Sequence, residues 1–540
     1  MCLHITQIMT KKGTLFLLFF TLMSLGLFLR IYHISNFGLF GDEKQSALIA
    51  VGNTNFGGMS ALMNPPAVFT PADYWAPRGI QAWFEADARG DVSGNSLLHD
   101  MMLKLVAQVF GKGDGALRGV SVFFNMLTLW LLFYWARRQK KQEFYWPLGI
   151  LLLAVLEPFF IIFSQQARNY TTSLFFSTAS NYFFWKIIIQ KPDLETPKTK
   201  DVFGWALASV FALFSTYLTA LVLVGQFIYM LIRRPAWLFW QKMFLGALCI
   251  LIPFAAWILW GPGQYFLAYQ ADAGKQYLAF LQTNGPIKDW IEASNPTNLS
   301  KRTIRILSDC FFWTNDLYAR QGIKIGGILL VIFVFLVVRW VRSIDDIPMK
   351  RLYMFAGIQL FFPILVLIGT AIHAGTTTGY FLRYASFALP FGIFISAGFA
   401  DYVLRLPIWY RSFGILLMLI QLYFLVFQFT PLYKDQKQKY TNSQGRIKNP
   451  YPFIADRIRQ NYTAGDTVLY PSRKTNFLNS QHINMQAADV SDAQLVNLYF
   501  DAEEPFYQKI DTTYQDSVII RKKNGQRLLI FDFRQGSLRY

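Results

Sequence analysis

The chain has 540 residues, of which 54% are hydrophobic and only 15% charged. Runs of about twenty apolar residues recur, so a soluble class is excluded and the chain reads as a polytopic α-helical membrane protein. The net charge of +19 would suit nucleic acid in a soluble protein. In a membrane protein Lys and Arg gather in cytoplasmic loops and meet anionic head groups, so nucleic acid is set aside as a partner in favour of the bilayer.

The first apolar run, Thr14 to Ile34, has no small-residue cleavage site after it and reads as an uncleaved span. Met9-Thr10-Lys11-Lys12 resembles a chain start, which makes residues 1–8 a candidate start-site extension. Further apolar stretches lie at 118–136, 146–164, 170–189, 202–217, 218–232, 243–260, 324–341, 352–372, 385–400 and 412–430, predicting about 11 transmembrane helices. With the N-terminus inside, the inner segments collect nineteen Lys and Arg, among them Arg137, Arg138, Lys141, Lys191, Arg233 and Arg351. The short outer loops hold only Arg168 and Arg383. That asymmetry predicts N-terminus in and C-terminus out.

Three large pieces then face outward. The loop 35–117 contains an amphipathic stretch, Leu97 to Phe110, suited to the membrane interface. The loop 261–323 carries Lys275, Lys288, Lys301, Arg302 and Arg305 among aromatics. The chain divides into a membrane domain, 1–431, and a small soluble α/β domain, 432–540. In the latter, Tyr451–Asn461 suits a helix and Asp466–Tyr470 a strand, while Ser517–Phe533 suits a hairpin turning on Asn524-Gly525 as a type I′ turn. Cys2, Cys249 and Cys310 have neither disulfide nor zinc spacing and read as packing residues or free thiols.

Asp42 and Glu43 open the functional argument. They are either solvated loop carboxylates, partners of the nearby Arg30, or a base at the membrane surface; general-base assistance typically contributes 10²–10⁴-fold. Phe163-Ser164-Gln165-Gln166-Ala167-Arg168-Asn169-Tyr170 fills a short outer connection. Its arginine either snorkels to head groups or binds a lipid-linked phosphate, for which a planar guanidinium is suited. Arg383-Tyr384 repeats that logic, with His373 upstream as a pocket candidate or a helix-end residue. Glu157, before Pro158, lies within a predicted span, where a carboxylate costs about 2–3 kcal/mol unless it meets a partner or a wet cavity. It either lines a pocket or supports a proline bend. No nucleotide loop, metal-ligand cluster or nucleophile triad is present; a divalent metal beside the two carboxylates has no further clear ligand.

These islands resemble the polytopic C-type glycosyltransferases of the protein O-mannosyltransferase and lipid A aminoarabinose transferase superfamily. Gly38-Leu39-Phe40-Gly41-Asp42-Glu43 stands where that family has Asp-Glu in its first outer loop. Phe163 to Tyr170 matches its Tyr-Ser-Gln-Glu-Ala-Arg-x-Tyr segment, with Gln166 in place of Glu. Arg383-Tyr384 through Pro390 matches its Arg-Tyr and proline-containing helix, and Phe110-Gly111, Ala116-Leu117-Arg118 and Ser121 its second-helix start. Where members often carry Pro-Pro-Leu-Tyr, this chain has Ser96-Leu97-Leu98-His99.

The resemblance implies transfer of a sugar from a polyprenyl-phosphate donor to a glycan, lipid or protein acceptor hydroxyl at the outer face of a bacterial inner membrane, with inversion. Asp42 would be the base and Glu43 its orienting neighbour. Arg168, Arg383 and Tyr384 would hold the donor phosphate, and Gln165, Gln166, Tyr170, Glu157, His99 and His373 are pocket candidates. Two other classes stay open: a lipid-linked oligosaccharide flippase or exporter, and a membrane scaffold acting through its tail. A flippase would be expected to place its charges at the bilayer midplane within repeats, and no repeat is visible.

Overall fold

The structure is a computed structural model that describes residues 2–53, 68–76, 96–140, 145–189, 196–261, 291–436, 439–440, 448–471, 474–477, 485–488, 491–511, 513 and 516–534. It also describes positions 80, 83, 84, 86, 87, 263, 264, 274, 275 and 277–283. Lys141, Lys191, Lys288 and most of 54–95 lie outside the described residues.

Among the described residues, seven helices are long and apolar enough to cross a membrane: Gly13–Ile31, Asp114–Gln139, Trp237–Leu259, Ile323–Arg342, Ile347–Ala374, Leu382–Leu404 and Ile408–Tyr433. Tyr145–Val155 and Pro158–Ser164, bent by 52°, make an eighth if read as one broken span. The chain is a multi-pass membrane protein. The three other expected stretches carry shorter helices: Tyr170–Phe184 continuing into the π-turn Trp185–Ile189, Thr199–Leu213, and Tyr217–Arg233. The first of these is poor in apolar residues for a physical reason. Thr171, Thr172, Ser173, Ser177, Thr178, Ser180 and Asn181 are all buried against other helices. Several return their hydroxyls to the backbone one turn earlier, as Thr178 does to Leu174 O at 2.6 Å.

The Leu97–Phe110 helix buries Leu97, His99, Asp100 and Leu103 and leaves Met101, Leu105, Val109 and Phe110 exposed on its other face. Beyond the last long helix, the helix Pro450–Asn461 starts on Asn449, whose side chain accepts the Tyr451 N–H at 3.0 Å, with Pro450 at its first position. It packs on a mixed sheet of β1 (Thr467–Pro471), β4 (Gln508–Asp511), β5 (Ser517–Arg521) and β6 (Arg527–Asp532) in the order β4-β1-β5-β6, with β1 and β4 parallel. A separate pair, β2 (Lys474–Phe477) and β3 (Met485–Ala488), is antiparallel. The β5–β6 turn differs from the expected type I′: Gly525 has φ 84°, but Asn524 is not among the left-handed residues. The Gly525 N–H bonds Lys522 O and the Lys522 N–H bonds Gln526 O, at 2.9 and 2.8 Å. The loop is therefore one residue longer, with the left-handed conformation left to glycine alone.

The first loop and the tail share one hydrophobic core, in which Leu39, Leu48, Tyr74 and Leu103 pack with Ile454, Val468, Val496 and Ile520. Phe69 of the loop pairs its backbone with Gln508 of β4 at 2.9 and 2.8 Å, and Trp75 Nε1 donates to Phe500 O at 2.9 Å. Gly38 is the point of closest approach, since a Cβ there would stand 3.0 Å from the Asn449 backbone. Gly38→Val is expected to destabilise the protein by about 1–3 kcal/mol through overpacking. Thermal unfolding in detergent reads this, and a Tm equal to that of the parent would mean the contact is slack.

Candidate active site

The helix Gly41–Ala50 carries both acidic candidates, and its geometry separates them. Successive residues on a helix are about 100° apart, so Asp42 and Glu43 cannot face the same neighbour. Glu43 turns into the protein and is 1% exposed. Its carboxylate accepts the Phe40 N–H at 3.1 Å, closing the start of the helix, and the Ala167 N–H at 2.7 Å. Arg118 supplies the counter-charge with two parallel bonds of 2.8 Å. The remaining Arg118 donors go to the carbonyls of Ile34, Phe37 and Gly38, each at 2.8 Å. Glu43 and Arg118 therefore fold the first loop and tie it to the 163–170 segment. Arg30 takes neither carboxylate and points into the bundle.

Asp42 faces the opposite way, and its side chain is 38% exposed. Its Oδ2 stands 3.6 Å from Arg383 Nη1. Its backbone carbonyl accepts from Arg168 Nη1 at 3.1 Å, and the same nitrogen donates to Ser46 Oγ at 2.9 Å. Arg383 also donates to the Tyr384 hydroxyl at 3.1 Å. A small hollow opens beside them, lined by Asn169, Tyr170, Ser173, Thr216, Leu218, Arg383, Tyr384, Ser386 and Phe387. Asp42, Arg168, Arg383, Tyr384 and Tyr170 are thus brought together from three distant parts of the chain. The arrangement offers a half-exposed carboxylate, a guanidinium beside it and a partly polar wall.

The other candidates divide. Gln165 donates to Leu29 O and Tyr32 O at 3.1 and 3.3 Å, a bond to the first helix rather than to the hollow. Gln166 is buried, and its amide nitrogen has no hydrogen-bond partner among the described residues. His99 is buried with Nδ1 2.9 Å from Thr172 Oγ1. Glu157 accepts the Phe159 N–H at 3.3 Å at the 52° bend and lines a separate hollow with Phe312 and Asn315. His373 is exposed at the end of its helix and outside the lining of the Arg383 hollow.

Sequence reading left three residues out of the site. Arg118 was visible as part of the second-helix start but carried no sign of its partner. Ser46 is one turn along from Asp42. Tyr277, in the loop 261–323, feels the charges of Tyr384, Arg383 and Asp42, and burial pushes its hydroxyl pKa up. Among the described residues no group of three or more His, Cys, Asp and Glu is placed to hold a metal ion.

Residues 95–260 match the dolichyl-phosphate-mannose-protein mannosyltransferase family. The match spans less than a third of the chain. It contains Arg118, Arg168 and the Asn169–Tyr170 wall, while Asp42, Glu43 and Arg383 lie outside it. No curated protein matches the sequence. Among solved structures, the chain is similar to ArnT from Cupriavidus metallidurans bound to undecaprenyl phosphate. Identity is 12%, coverage 92% of this chain and 86% of that one, and TM-score 0.46. It is also similar to the S. cerevisiae protein O-mannosyltransferase Pmt1-Pmt2 complex bound to the sugar donor, with 15% identity, 54% and 36% coverage and TM-score 0.31. An oligosaccharyltransferase from Archaeoglobus fulgidus shows 12% identity, 91% and 58% coverage and TM-score 0.41.

Proposed function

We propose that the protein is a glycosyltransferase that moves a sugar from a polyprenyl-phosphate-linked donor to an acceptor hydroxyl, on a glycan, lipid or protein, at the outer face of a bacterial inner membrane. In this reading about eleven helical segments over 1–431 form the catalytic bundle, and 432–540 form a soluble α/β unit on the outer side. The observation that carries it is the 3.6 Å pair between Asp42 and Arg383 at the rim of a partly polar hollow.

The donor phosphate competes with Asp42 for Arg383. Once it wins, the carboxylate is free to take the proton of the acceptor hydroxyl. The hydroxyl oxygen bonds to the anomeric carbon from the face opposite the phosphate, the glycosidic C–O bond breaks, and polyprenyl phosphate leaves with the bonding pair. Configuration inverts. Arg383 and the Tyr384 hydroxyl stabilise the departing charge, and Arg168 adds its own from a buried position, the kind of fixed electrostatics that supplies much of enzymatic catalysis. Glu43 acts through Arg118, by holding the loop that presents Asp42.

Arg383→Ala is expected to raise the donor KM about 10- to 100-fold, the range set by the roughly 1.5–3 kcal/mol of a hydrogen bond to a charged group. Steady-state transfer assays at varied donor and varied acceptor separate the two substrates. A defect confined to the acceptor would contradict the assignment. Mass spectrometry of outer-face glycans and lipids, with and without the chain, identifies the sugar and acceptor.

A further inference from the structure

The bent pair Tyr145–Val155 and Pro158–Ser164 is a place where backbone groups must find new partners. In an unbroken helix the N–H of residue i bonds the carbonyl of residue i−4. Pro158 has no N–H, so it cannot serve Ala154 O. The Phe159 N–H, which would serve Val155 O, bonds Glu157 Oε1 at 3.3 Å instead. Both abandoned carbonyls are met by one side chain from another helix. Arg30 Nη2 donates to Ala154 O and Nη1 to Val155 O, each at 3.3 Å. Its Nε is fixed by Asn125 Oδ1 at 2.6 Å, and Nη1 also reaches Gly26 O at 2.9 Å.

Arg30 is fully buried. Within a membrane an arginine costs several kcal/mol unless its donors are satisfied, and here the bend satisfies them. The far end of the short helix is tied to the same turn of the first helix, through Gln165 to Leu29 O and Tyr32 O at 3.1 and 3.3 Å. That turn runs on into Gly38 and Asp42. The short helix runs on into Ala167, held by Glu43 at 2.7 Å, and into Arg168, held by Asp42 O at 3.1 Å.

We propose that Arg30 is a positioning residue for the reaction: by sealing the bend it sets the height at which Arg168 stands against Asp42. The assignment of Asp42 and Arg168 as reacting groups rests on the proposed function; the control of their register by Arg30 does not. The full-length protein in detergent tests both, by amide hydrogen exchange and by binding of undecaprenyl phosphate. Arg30→Met is expected to speed exchange at least tenfold in 158–170 and in 41–46 while leaving 389–404 as in the parent. It is also expected to weaken undecaprenyl phosphate binding per folded molecule at least tenfold, with Arg30→Lys, which keeps the charge and fewer donors, in between. Pro158→Ala restores a donor to Ala154 O and straightens the bend. It is expected to impair binding by itself and to make the further effect of Arg30→Met small. Parent-like exchange in 158–170 for Arg30→Met would overturn the positioning role, as would equal effects of Arg30→Met in both backgrounds. A parent that fails to bind undecaprenyl phosphate would instead count against the proposed donor, with the exchange result still deciding the role of Arg30.

Discussion

Asp42→Asn is expected to lower sugar transfer by about 10²–10⁴-fold, the usual contribution of a general base, with the protein still inserted and folded. The side chain is at the rim of the hollow, 38% exposed and 3.6 Å from Arg383. Asparagine keeps its shape and keeps the backbone carbonyl that receives Arg168. The change therefore removes a proton acceptor and little packing. Turnover measured at saturating donor and acceptor, normalised to folded protein, reads the effect. Near-parent turnover would remove Asp42 as the base and leave its pairing with Arg383 as a surface ion pair.

The adjacent carboxylate has a different role, and its loss is expected to show as stability. Arg118→Met leaves Glu43 buried and charged with two backbone N–H groups for company. Glu43→Gln leaves Arg118, fully buried, without its counter-charge. Breaking a buried pair from one side costs about 3–5 kcal/mol, because the remaining charge is uncompensated. Either variant is thus expected to unfold at a much lower temperature in detergent, and transfer is lost with folded protein rather than per folded molecule. Single variants within about 1 kcal/mol of the parent would mean that water reaches the pair, since exposed ion pairs contribute at that level.

The membrane class was legible because hydropathy is a sum over a window, and among the described residues seven helices meet it on length and composition alone. The Tyr170–Phe184 helix was harder, since its hydroxyl-rich face serves the bundle and dilutes the apolar signal. Asp42, Arg168 and Arg383 could each be singled out as charges beside a span. Nothing local said that they meet, because the pairing depends on how helices from opposite ends of the chain pack. The difference between Asp42 and Glu43 was hidden for a related reason. Adjacent letters look equivalent until a helix turns one toward Arg383 and the other toward Arg118. The Asn524-Gly525 hairpin was readable as a turn, but its loop length depended on the β5–β6 register.

The pairing of Phe69 with Gln508, and the core shared by Leu48 with Val468 and Ile520, tie early residues to very late ones. Ribosomes deliver a polypeptide from its N-terminus, so the segment bearing Asp42 waits through the synthesis of nearly all the remaining helices before its packing partners exist. A product stopped before the tail would carry Asp42, Arg168 and Arg383 but lack the core that Leu48 shares with Val468 and Ile520. The packing of the Asp42 segment is therefore completed only by residues made hundreds of positions later, and truncation before Val468 is expected to strip the first loop of the core it shares with the tail.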